Sequence, residues 1–398
     1  MSPVLNESPS VAPISQHITA PNTDASFPQH LSFKCAVTDS KGPRRFMEDA
    51  HSIVVPYAGV RGQGFFAIFD GHAGKQAAEW CGQNFSLVCH IGFPSLSLLT
   101  RFVKFLLNAL RDHADSAIPD ILNQAFHNVD LMLSHMTEQS DGKMHSGCTA
   151  VTAFLRLEDA DGRQSFLPPD FTLPSSPADV DADDSDGVAE TTQRSKRRSN
   201  RDKLRDALKH IGASPRSSSS EVASSSPPRD SLLDFEQIFT PNSSTDVRRV
   251  LYCANAGDAR AVLCRAGKAV RLTYDHKGSD KQEAKRIMDA GGFVMGGRVN
   301  GVLAVTRSLG DSSMKEFVVG APYTTETELT EEDEFLILAC DGLWDVVEDQ
   351  AAVQLVRDTA DPRKAAEDLL DHAYRKYSTD NVTVLVIRFR NPPEPLKK

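Results

Sequence analysis

The sequence predicts an α+β fold in which two sheets carry helices on their outer sides. Short apolar runs rich in β-branched and aromatic residues recur early in the chain, helical periodicity follows in the middle, and helices and strands close the chain. This order of elements is typical of an α+β architecture. With 398 residues, 40% of them hydrophobic, the chain can bury a full core as one large domain or two smaller ones.

The first elements begin after a polar N-terminal segment. Residues 1–31 are rich in Pro, Ser, Asn and Thr, which predicts a disordered tail. Apolar runs at 51–56 and 64–69 predict strands, and a helical stretch begins in AGKQAAEWCGQNFSLVC. Residues 119–137 predict an amphipathic helix, because apolar side chains recur there every three or four residues: Leu122, Phe126, Val129, Leu133 and Met136.

A long insertion of low complexity interrupts the predicted domain at 158–246. It is acidic, then basic, then rich in Ser and Pro, so it predicts a disordered segment within a domain of residues 32–389. The flanking strands, 147–157 and 248–254, are expected to pair whatever the length of their connection. One apolar cluster in the insertion, SLLDFEQIF at 231–239, either docks a partner or packs back onto the domain.

The second half predicts more strands and then helices. Strands in RRVLYCANAG, AVLCR and KAVRL read as successive antiparallel strands with tight turns at Gly257-Asp258 and Ala266-Gly267. A helix in KQEAKRIMDA ends at Gly291-Gly292. Two further helices near 348–359 and 362–377 precede a closing strand, DNVTVLVIRF, and a C-terminal tail at 390–398.

Charge and cysteine usage exclude several classes of protein. The net charge of −10 argues against nucleic acid or an anionic membrane as a partner. No apolar run approaches the roughly 18 residues of a membrane span, and the N-terminus lacks a signal-peptide pattern. The seven cysteines are scattered without a CxxC pair, which favours reduced thiols and a cytoplasmic or nuclear location.

Four aspartates in distinctive local contexts are the main functional signal. They are Asp49 in RRFMEDAH, Asp70 in FFAIFDGHAG, Asp341 in FLILACDGLWDV and Asp380 in STDNVTVLV. A single aspartate after a strand is ordinarily a turn former or a helix cap. If the four converge, however, each pair at about 4 Å repels by roughly 4 kcal/mol at an effective dielectric near 20. Such a cluster requires bound cations, so the pattern predicts a binuclear metal site.

Eight motifs occur in the order found in one enzyme family: RRFMEDAH, DGHAG, SGCTA, NAGDARAVL, DHKG, RVNGVLAVTRSLGD, ACDGLWDV and TDNVTV. Over 32–157 and 247–389 the chain resembles type-2C metal-dependent serine/threonine protein phosphatases, with a likeness to fungal members that oppose stress-activated kinase cascades. The resemblance implies a sandwich of two antiparallel sheets flanked by pairs of helices. It also implies that 277–315 forms a mobile flap beside a metal cleft.

The resemblance assigns the metal ligands to oxygen atoms only. They are the carboxylates of Asp49, Asp70, Asp341 and Asp380 and the backbone carbonyl of Gly71. Oxygen donors favour hard cations, so two Mg²⁺ or Mn²⁺ ions are expected.

A weaker third ion is implied at Asp258 and Asp345, shared with Asp341. Asp341 and Asp345 are four residues apart, and a helical turn through them would place both on one face. A hairpin turn at Gly257-Asp258 would explain Asp258 without any metal.

Three further residues acquire catalytic roles from the resemblance. Arg44 matches the phosphate-binding arginine, whose planar guanidinium suits bidentate contact, while Arg45 is expected to be a surface charge. Glu48 is implied to contact metal-bound water; otherwise it is an exposed acid. His72 is implied to be the general acid that protonates the leaving alkoxide; otherwise it is a cap or surface residue.

The implied reaction is hydrolysis of phosphoserine and phosphothreonine in proteins by in-line attack of a metal-held hydroxide, with no covalent intermediate, in negative regulation of kinase signalling. A phosphohydrolase for small phosphoesters and a catalytically inactive scaffold are the alternatives. We expect a monomer that binds phosphorylated proteins and docks partners through the insertion. The insertion also carries a basic patch, SKRRSNRDK, suggestive of nuclear localisation, and proline-directed phosphorylation sites at Ser214, Ser226 and Thr240.

Overall fold

The structure is a computed structural model, and it describes residues 16–19, 27–82, 106, 109–110, 116–140, 144–169, 171, 238–242 and 246–392. The chain divides into a unit of residues 1–174 and 235–398 and a second unit, 175–234, which lies wholly outside the described residues. The basic patch, Ser214 and Ser226 fall in that second unit, and 231–237 are likewise not described.

Two antiparallel sheets form the body of the first unit. The six-stranded sheet has the order β1 (Gln16–Thr19), β2 (Lys34–Ser40), β16 (Val382–Arg388), β15 (Asp333–Ala339), β9 (Arg260–Arg265) and β10 (Lys268–Arg271). The five-stranded sheet has the order β14 (Tyr323–Glu328), β8 (Arg248–Ala256), β7 (Ala150–Glu158), β4 (Gly64–Phe69) and β3 (Ala50–Val54). Short strands form two small sheets: β5 (Gly71–His72), β6 (Gly147–Cys148) and β13 (Leu309–Gly310), and β11 (Val294–Met295) with β12 (Arg298–Val299).

The two large sheets stack face to face around one apolar core. Ile68 and Val151 from the five-stranded sheet pack there with Leu263, Leu336 and Leu385 from the other. These residues alternate with outward-facing neighbours along each strand, as the two-residue repeat of a strand requires. The expected α+β sandwich of two antiparallel sheets is therefore confirmed.

Helices cover the outer face of each sheet. Gln76–Gly82 and Ile118–Gln139 lie against the five-stranded sheet, where Phe126 packs in one cluster with Phe154. Asp349–Val356 and Pro362–Arg375 cover the six-stranded sheet, where Leu369 packs with Ile337. Two further α-helices are Asp341–Trp344 and Lys281–Asp289, and 3-10 turns occur at Gln29–Leu31, Tyr57–Gly59 and Ser312–Met314. Within the described ranges, no helix has the length and apolarity needed to cross a bilayer.

The predicted amphipathic helix is present with the predicted buried face. In Ile118–Gln139, Leu122, Phe126, Val129 and Leu133 are buried and Met136 packs beside them. The insertion also joins two paired strands as expected, since β7 and β8 pair along their whole length from Ala150↔Ala256 to Glu158↔Arg248.

One of the two predicted hairpins is present and the other is not. Ala266 and Gly267, both at positive φ, form the two-residue turn between β9 and β10. By contrast, Gly257-Asp258 connects β8 in one sheet to β9 in the other, so the prediction of a hairpin there was wrong. The alternation of apolar residues marks both strands but carries no information about which sheet each one joins.

The ordered chain extends into the predicted N-terminal tail. Gln16–Thr19 pairs antiparallel with β2, and Phe27 and Leu31 are buried beside Val60 and Leu157. This differs from the predicted disorder over residues 1–31. Two apolar side chains pack against the sandwich there even though the surrounding composition is polar.

Both ends of the insertion also pack on the domain. Phe166, Leu167 and Phe171 cluster with Phe239, which donates its N–H to the Gly59 carbonyl at 2.9 Å. The described ends of 158–246 therefore differ from the predicted disorder, since a few aromatic residues within polar sequence are enough to anchor them. Of the SLLDFEQIF cluster, Phe239 packs back onto the domain.

Candidate metal centre

The predicted ligands converge because strand ends meet at one end of the sandwich. Ala50 pairs with Phe69, which places Asp49 just before β3 next to Asp70 just after β4. In the other sheet Ala339 pairs with Val384, which brings Asp341 after β15 towards Asp380 before β16. Residues that are hundreds of positions apart in sequence thus share one edge of the fold.

Two groups of potential ligand atoms adjoin at this edge. Oxygens of Asp70, Asp258 and Asp341 lie within 4.8 Å of one another. Oxygens of Asp49 and Asp70 and the sulfur of Cys340 form a second group with the same spacing. Because Asp70 belongs to both groups, the edge has room for two neighbouring cations that share one carboxylate.

The raised pKa values of the clustered carboxylates indicate that bound cations would stabilise their charged form. Burial raises the pKa of Asp49 to about 6 and that of Asp341 to about 8. Burial raises the pKa of Asp70 well above its ordinary value, and the charge of Asp341 adds to the effect. Carboxyl groups that resist ionisation because they are buried together are stabilised in their charged form by divalent cations.

Cys340 is the one soft atom in the cluster, and sequence reasoning did not identify it. Its sulfur accepts a hydrogen bond from the Thr383 N–H at 3.2 Å and donates to the Asn381 carbonyl at 3.5 Å. Burial raises the pKa of the Cys340 thiol well above its ordinary value, so the thiolate needed for metal binding is disfavoured. The effective donors are oxygens, which fit the hard cations that the sequence predicts.

Asp49 and Glu48 have different surroundings, as expected for adjacent residues with separate roles. Asp49 accepts a hydrogen bond from the Thr383 hydroxyl at 2.7 Å, within the cluster. Glu48 instead accepts from the Gly74 N–H at 2.9 Å. A Cβ at Gly71 would collide with the Glu48 carbonyl oxygen, so only glycine allows this close approach beside Asp70.

Asn381 holds the segment that carries Arg44 and Glu48. Its side chain accepts from the Glu48 N–H at 2.8 Å and donates to the carbonyls of Lys41 and Phe46 at 3.0 Å each. The sequence places Asn381 in the TDNVTV motif, but its positioning role follows only from the folded chain.

Arg44 lies at the rim of the cluster. Its Nη2 donates to Asp380 Oδ2 at 2.6 Å, and about half of its side chain is exposed. A guanidinium in this position borders both the carboxylates and solvent. Arg45 is exposed and lies over the Phe46 ring, which agrees with a surface charge.

His72 pairs with an acid that sequence reasoning missed. Its Nε2 lies 2.7 Å from Asp311 Oδ2, and the Ser308 hydroxyl donates to the same oxygen. A Cβ at Gly147 would collide with both Asp311 and His72, so this glycine makes room for the pair. The only sequence signal was the position of Asp311 in the SLGD motif, 239 residues from His72.

The two residues predicted to hold a third ion, Asp258 and Asp345, have different surroundings. Asp258 is buried and belongs to the group with Asp70 and Asp341. Asp345 is exposed and pairs with the Lys277 ammonium at 2.7 Å, which also lies 3.4 Å from Asp258. The predicted helical turn is present, because the Asp345 N–H donates to the Asp341 carbonyl at 2.8 Å. The hairpin explanation for Asp258 does not apply, since its turn connects the two sheets.

Comparison with known proteins agrees with the geometry of the site. The family model for protein phosphatase 2C matches residues 33–160 and 189–382. A relative from Saccharomyces cerevisiae, protein phosphatase 2C homolog 1, is 36% identical over 364 residues, which is 90% of this chain and 95% of the relative. The homolog 1 of Schizosaccharomyces pombe is 35% identical over 351 residues, or 88% of this chain and 71% of that protein. The expected likeness to fungal members is thereby confirmed.

Solved structures support the fold. The serine-threonine phosphatase 2C of Toxoplasma gondii superposes with a TM-score of 0.55 at 18% identity, and the match covers 95% of this chain and all of that one. Given the family match over most of the chain and two relatives above 30% identity, this chain belongs to the protein phosphatase 2C family and is a metal-dependent serine/threonine protein phosphatase.

Proposed function

We propose that this phosphatase works with two Mg²⁺ or Mn²⁺ ions, and a weaker third, on phosphorylated proteins of kinase signalling. The observation that carries the proposal is the position of Asp70, whose carboxylate belongs to both groups of ligand atoms. Asp49, Asp70, Asp341 and Asp380 with the Gly71 carbonyl would hold the two principal ions. Bound there, the ions would lower the pKa of water from about 15.7 towards neutrality and offset charge on the phosphoryl oxygens.

The chain itself positions the substrate and supplies a proton. Arg44, half-exposed beside Asp380, is placed to bind two phosphoryl oxygens with its planar fork. His72 is placed to protonate the leaving serine or threonine oxygen. Because Asp311 engages Nε2, Nδ1 is the ring nitrogen left to donate that proton. Glu48, held by the Gly74 N–H, faces the loop that carries His72 and orients water there.

The flap segment, 277–315, favours a protein substrate over a small phosphoester. Both of its ends contact the site, through Lys277 on Asp345 at one end and Asp311 on His72 at the other. Between them, Phe293, Met295 and Val302 expose apolar side chains, Val302 to 65%. Exposed apolar groups beside a catalytic cleft are suited to contact a polypeptide rather than a sugar or nucleotide.

The test compares two substrates in the presence and absence of metal. After EDTA treatment and dialysis, hydrolysis of a phosphothreonine peptide should be lost, and Mg²⁺ or Mn²⁺ should restore it while Zn²⁺ should not. The kcat/KM for the peptide should exceed that for a nucleoside monophosphate or a sugar phosphate. Full activity in excess EDTA would refute the metal assignment, and equal kcat/KM values would favour the small-phosphoester alternative.

We further propose that residues 175–234 serve partner choice or localisation and not catalysis. Their deletion should leave kcat for p-nitrophenyl phosphate and the melting temperature nearly unchanged, because each doubling of loop length costs only about 0.6 kcal/mol. Every proposed catalytic residue lies outside the deleted segment.

A matched control deletion extends to residues 165–240. It removes Phe166, Leu167, Phe171 and Phe239, which pack on the domain, and should lower the melting temperature by about 5 °C or more. A collapse of kcat in the shorter deletion, measured beside thermal unfolding, would show that the segment is part of the working enzyme.

A further inference from the structure

A second polar cavity lies at the end of the sandwich opposite the metal centre. It has a volume of about 850 Å³, and Lys34, Arg249 and Arg388 are among its lining residues. In the pairing of β2 with β16, Lys34 lies opposite Arg388, whereas Ser40 lies opposite Val382 near Asp380. Six residues at about 3.3 Å each separate the cavity from the metal end by about 20 Å.

Arg249 is a buried cation that makes no ion pair of its own at this cavity. The charges of Glu331 and Asp333 act on it from nearby, but Glu331 pairs with Arg390 and Asp333 pairs with Arg265. Arg249 lies two residues before Leu251 on β8, on the face that packs between the two sheets, and only 7% of it is exposed. Its Nη1 is buried without a hydrogen-bond partner, and no ion pair among the described residues includes it. Its guanidinium carbon lies 5.5 Å from the centre of the Phe389 ring. Burying a charge without an ion-pair partner costs free energy, so an anion bound next to Arg249 would stabilise the folded protein.

The cavity contains other cationic groups, while most of its carboxylates are already engaged. Lys34 is exposed at the start of β2 and makes no ion pair with a described residue. Arg388, 2% exposed, donates to the Val356 carbonyl at 2.9 Å, but its Nε has no partner. Of the three lining glutamates, Glu331 pairs with Arg390, Glu334 pairs with Arg357 and Glu332 is exposed. The cavity is therefore locally cationic in a chain of net charge −10.

We propose that this cavity binds a phosphate-class oxyanion, either as the free ion or as the head group of a phosphomonoester. Arg249 provides the buried contact through its unpartnered Nη1, and Lys34 closes the site from the exposed side. A guanidinium presents two parallel N–H groups to a tetrahedral oxyanion, which suits this ligand better than a spherical halide. The site is separate from the metal centre and independent of the function proposed for it.

The experiment measures thermal unfolding of the full-length, metal-loaded protein against inorganic phosphate at constant ionic strength set with NaCl. A second arm uses propylphosphonate, a non-hydrolysable mimic of a phosphomonoester. The variants are Arg249→Met, Lys34→Met and, as matched control, Arg248→Met, whose side chain precedes Arg249 on the same strand but pairs with Glu328. Anions that bind at the metal centre stabilise all four proteins alike, so differences between variants report the second cavity.

We expect saturating phosphate to raise the wild-type melting temperature by about 3 °C more than that of Arg249→Met. Without phosphate, Arg249→Met should melt no lower than wild type, because it removes an unpaired buried charge. Lys34→Met, an exposed change that preserves the fold, should need severalfold more phosphate, and Arg248→Met should respond as wild type does. A stronger response to propylphosphonate would identify a phosphomonoester, and a stronger response to phosphate the free ion. Equal anion responses in wild type, Arg249→Met and Lys34→Met would overturn the proposal.

Discussion

Replacing Asp70 or Asp341 by asparagine is expected to lower kcat at least about 100-fold on any phosphoester, with the fold retained. Removing a hydrogen-bond partner of a metal ligand typically costs about 10- to 100-fold, so removing a ligand itself should reach or pass the upper value. Asp70 should be the more sensitive position, because its carboxylate belongs to both groups of ligand atoms. The measurement is kcat at saturating Mn²⁺ on p-nitrophenyl phosphate.

The same variants should change how stability depends on pH in EDTA. The pKa of Asp341 in the folded protein is raised by burial to about 8, against about 3.8 for an ordinary aspartate. The folded state then binds more protons than the unfolded state between these values, so wild-type stability falls as the pH rises from about 4 to 8. Asp341→Asn lacks this titration and should melt at a higher temperature than wild type at pH 8, with a smaller difference near pH 4.

Asp371→Asn is the matched control, because Asp371 is exposed on the helix Pro362–Arg375 and belongs to neither group of ligand atoms. It should behave as wild type in both measurements. An Asp70 or Asp341 variant that keeps more than a tenth of the wild-type rate would contradict the ligand assignment. A variant that unfolds even with Mn²⁺ present would show instead that the carboxylate is needed for the fold.

The approach of Asp49 and Asp341 to Asp70 could be predicted from sequence because each of these aspartates adjoins a strand whose apolar residues are unmistakable. Asp70 follows a run in which all six residues are buried, and Asp341 comes two residues after β15, which is almost wholly buried. The ends of strands in one sandwich meet at common edges, so residues that each follow or precede a strand in the sequence can be expected to lie close together. The pairing of Asp345 with Lys277 and that of Arg44 with Asp380 could not be predicted, because no local sequence pattern specifies these partners.

What the sequence could not show are features that depend on the pairing of distant segments. The turn at Gly257-Asp258 has the local signature of a hairpin, yet the next strand joins the other sheet. Phe27 and Phe239 lie in polar stretches of sequence. Phe27 becomes buried and Phe239 partly buried only because each packs against the same corner of the sandwich. Asp311 is the most consequential case, since its partner His72 lies 239 residues away in the sequence.

Replacing His72 by glutamine should slow hydrolysis of a phosphothreonine peptide by about 10²- to 10⁴-fold while largely sparing p-nitrophenyl phosphate. A threonine alkoxide needs a proton as it leaves, whereas p-nitrophenolate departs without one. The ratio of the two rates therefore separates a general acid from a residue that only maintains the site. Equal losses on both substrates would eliminate the general-acid role.

Asp311→Asn should also slow hydrolysis of the phosphothreonine peptide more than that of p-nitrophenyl phosphate, but by a smaller factor than His72→Gln. The reason is that Asp311 positions the imidazole ring that donates the proton. Asparagine suits the test: Asp311 has a φ of 49°, a left-handed conformation that asparagine tolerates, so the backbone need not move. Hydrogen-bonded neighbours couple by about 0.5–3 kcal/mol, which predicts a loss of up to roughly 100-fold on the peptide. If Asp311 acts only through His72, the double variant should be no slower than His72→Gln alone. Losses that multiply in the double variant would mean that Asp311 supports catalysis by another route, such as holding the end of the flap against the site.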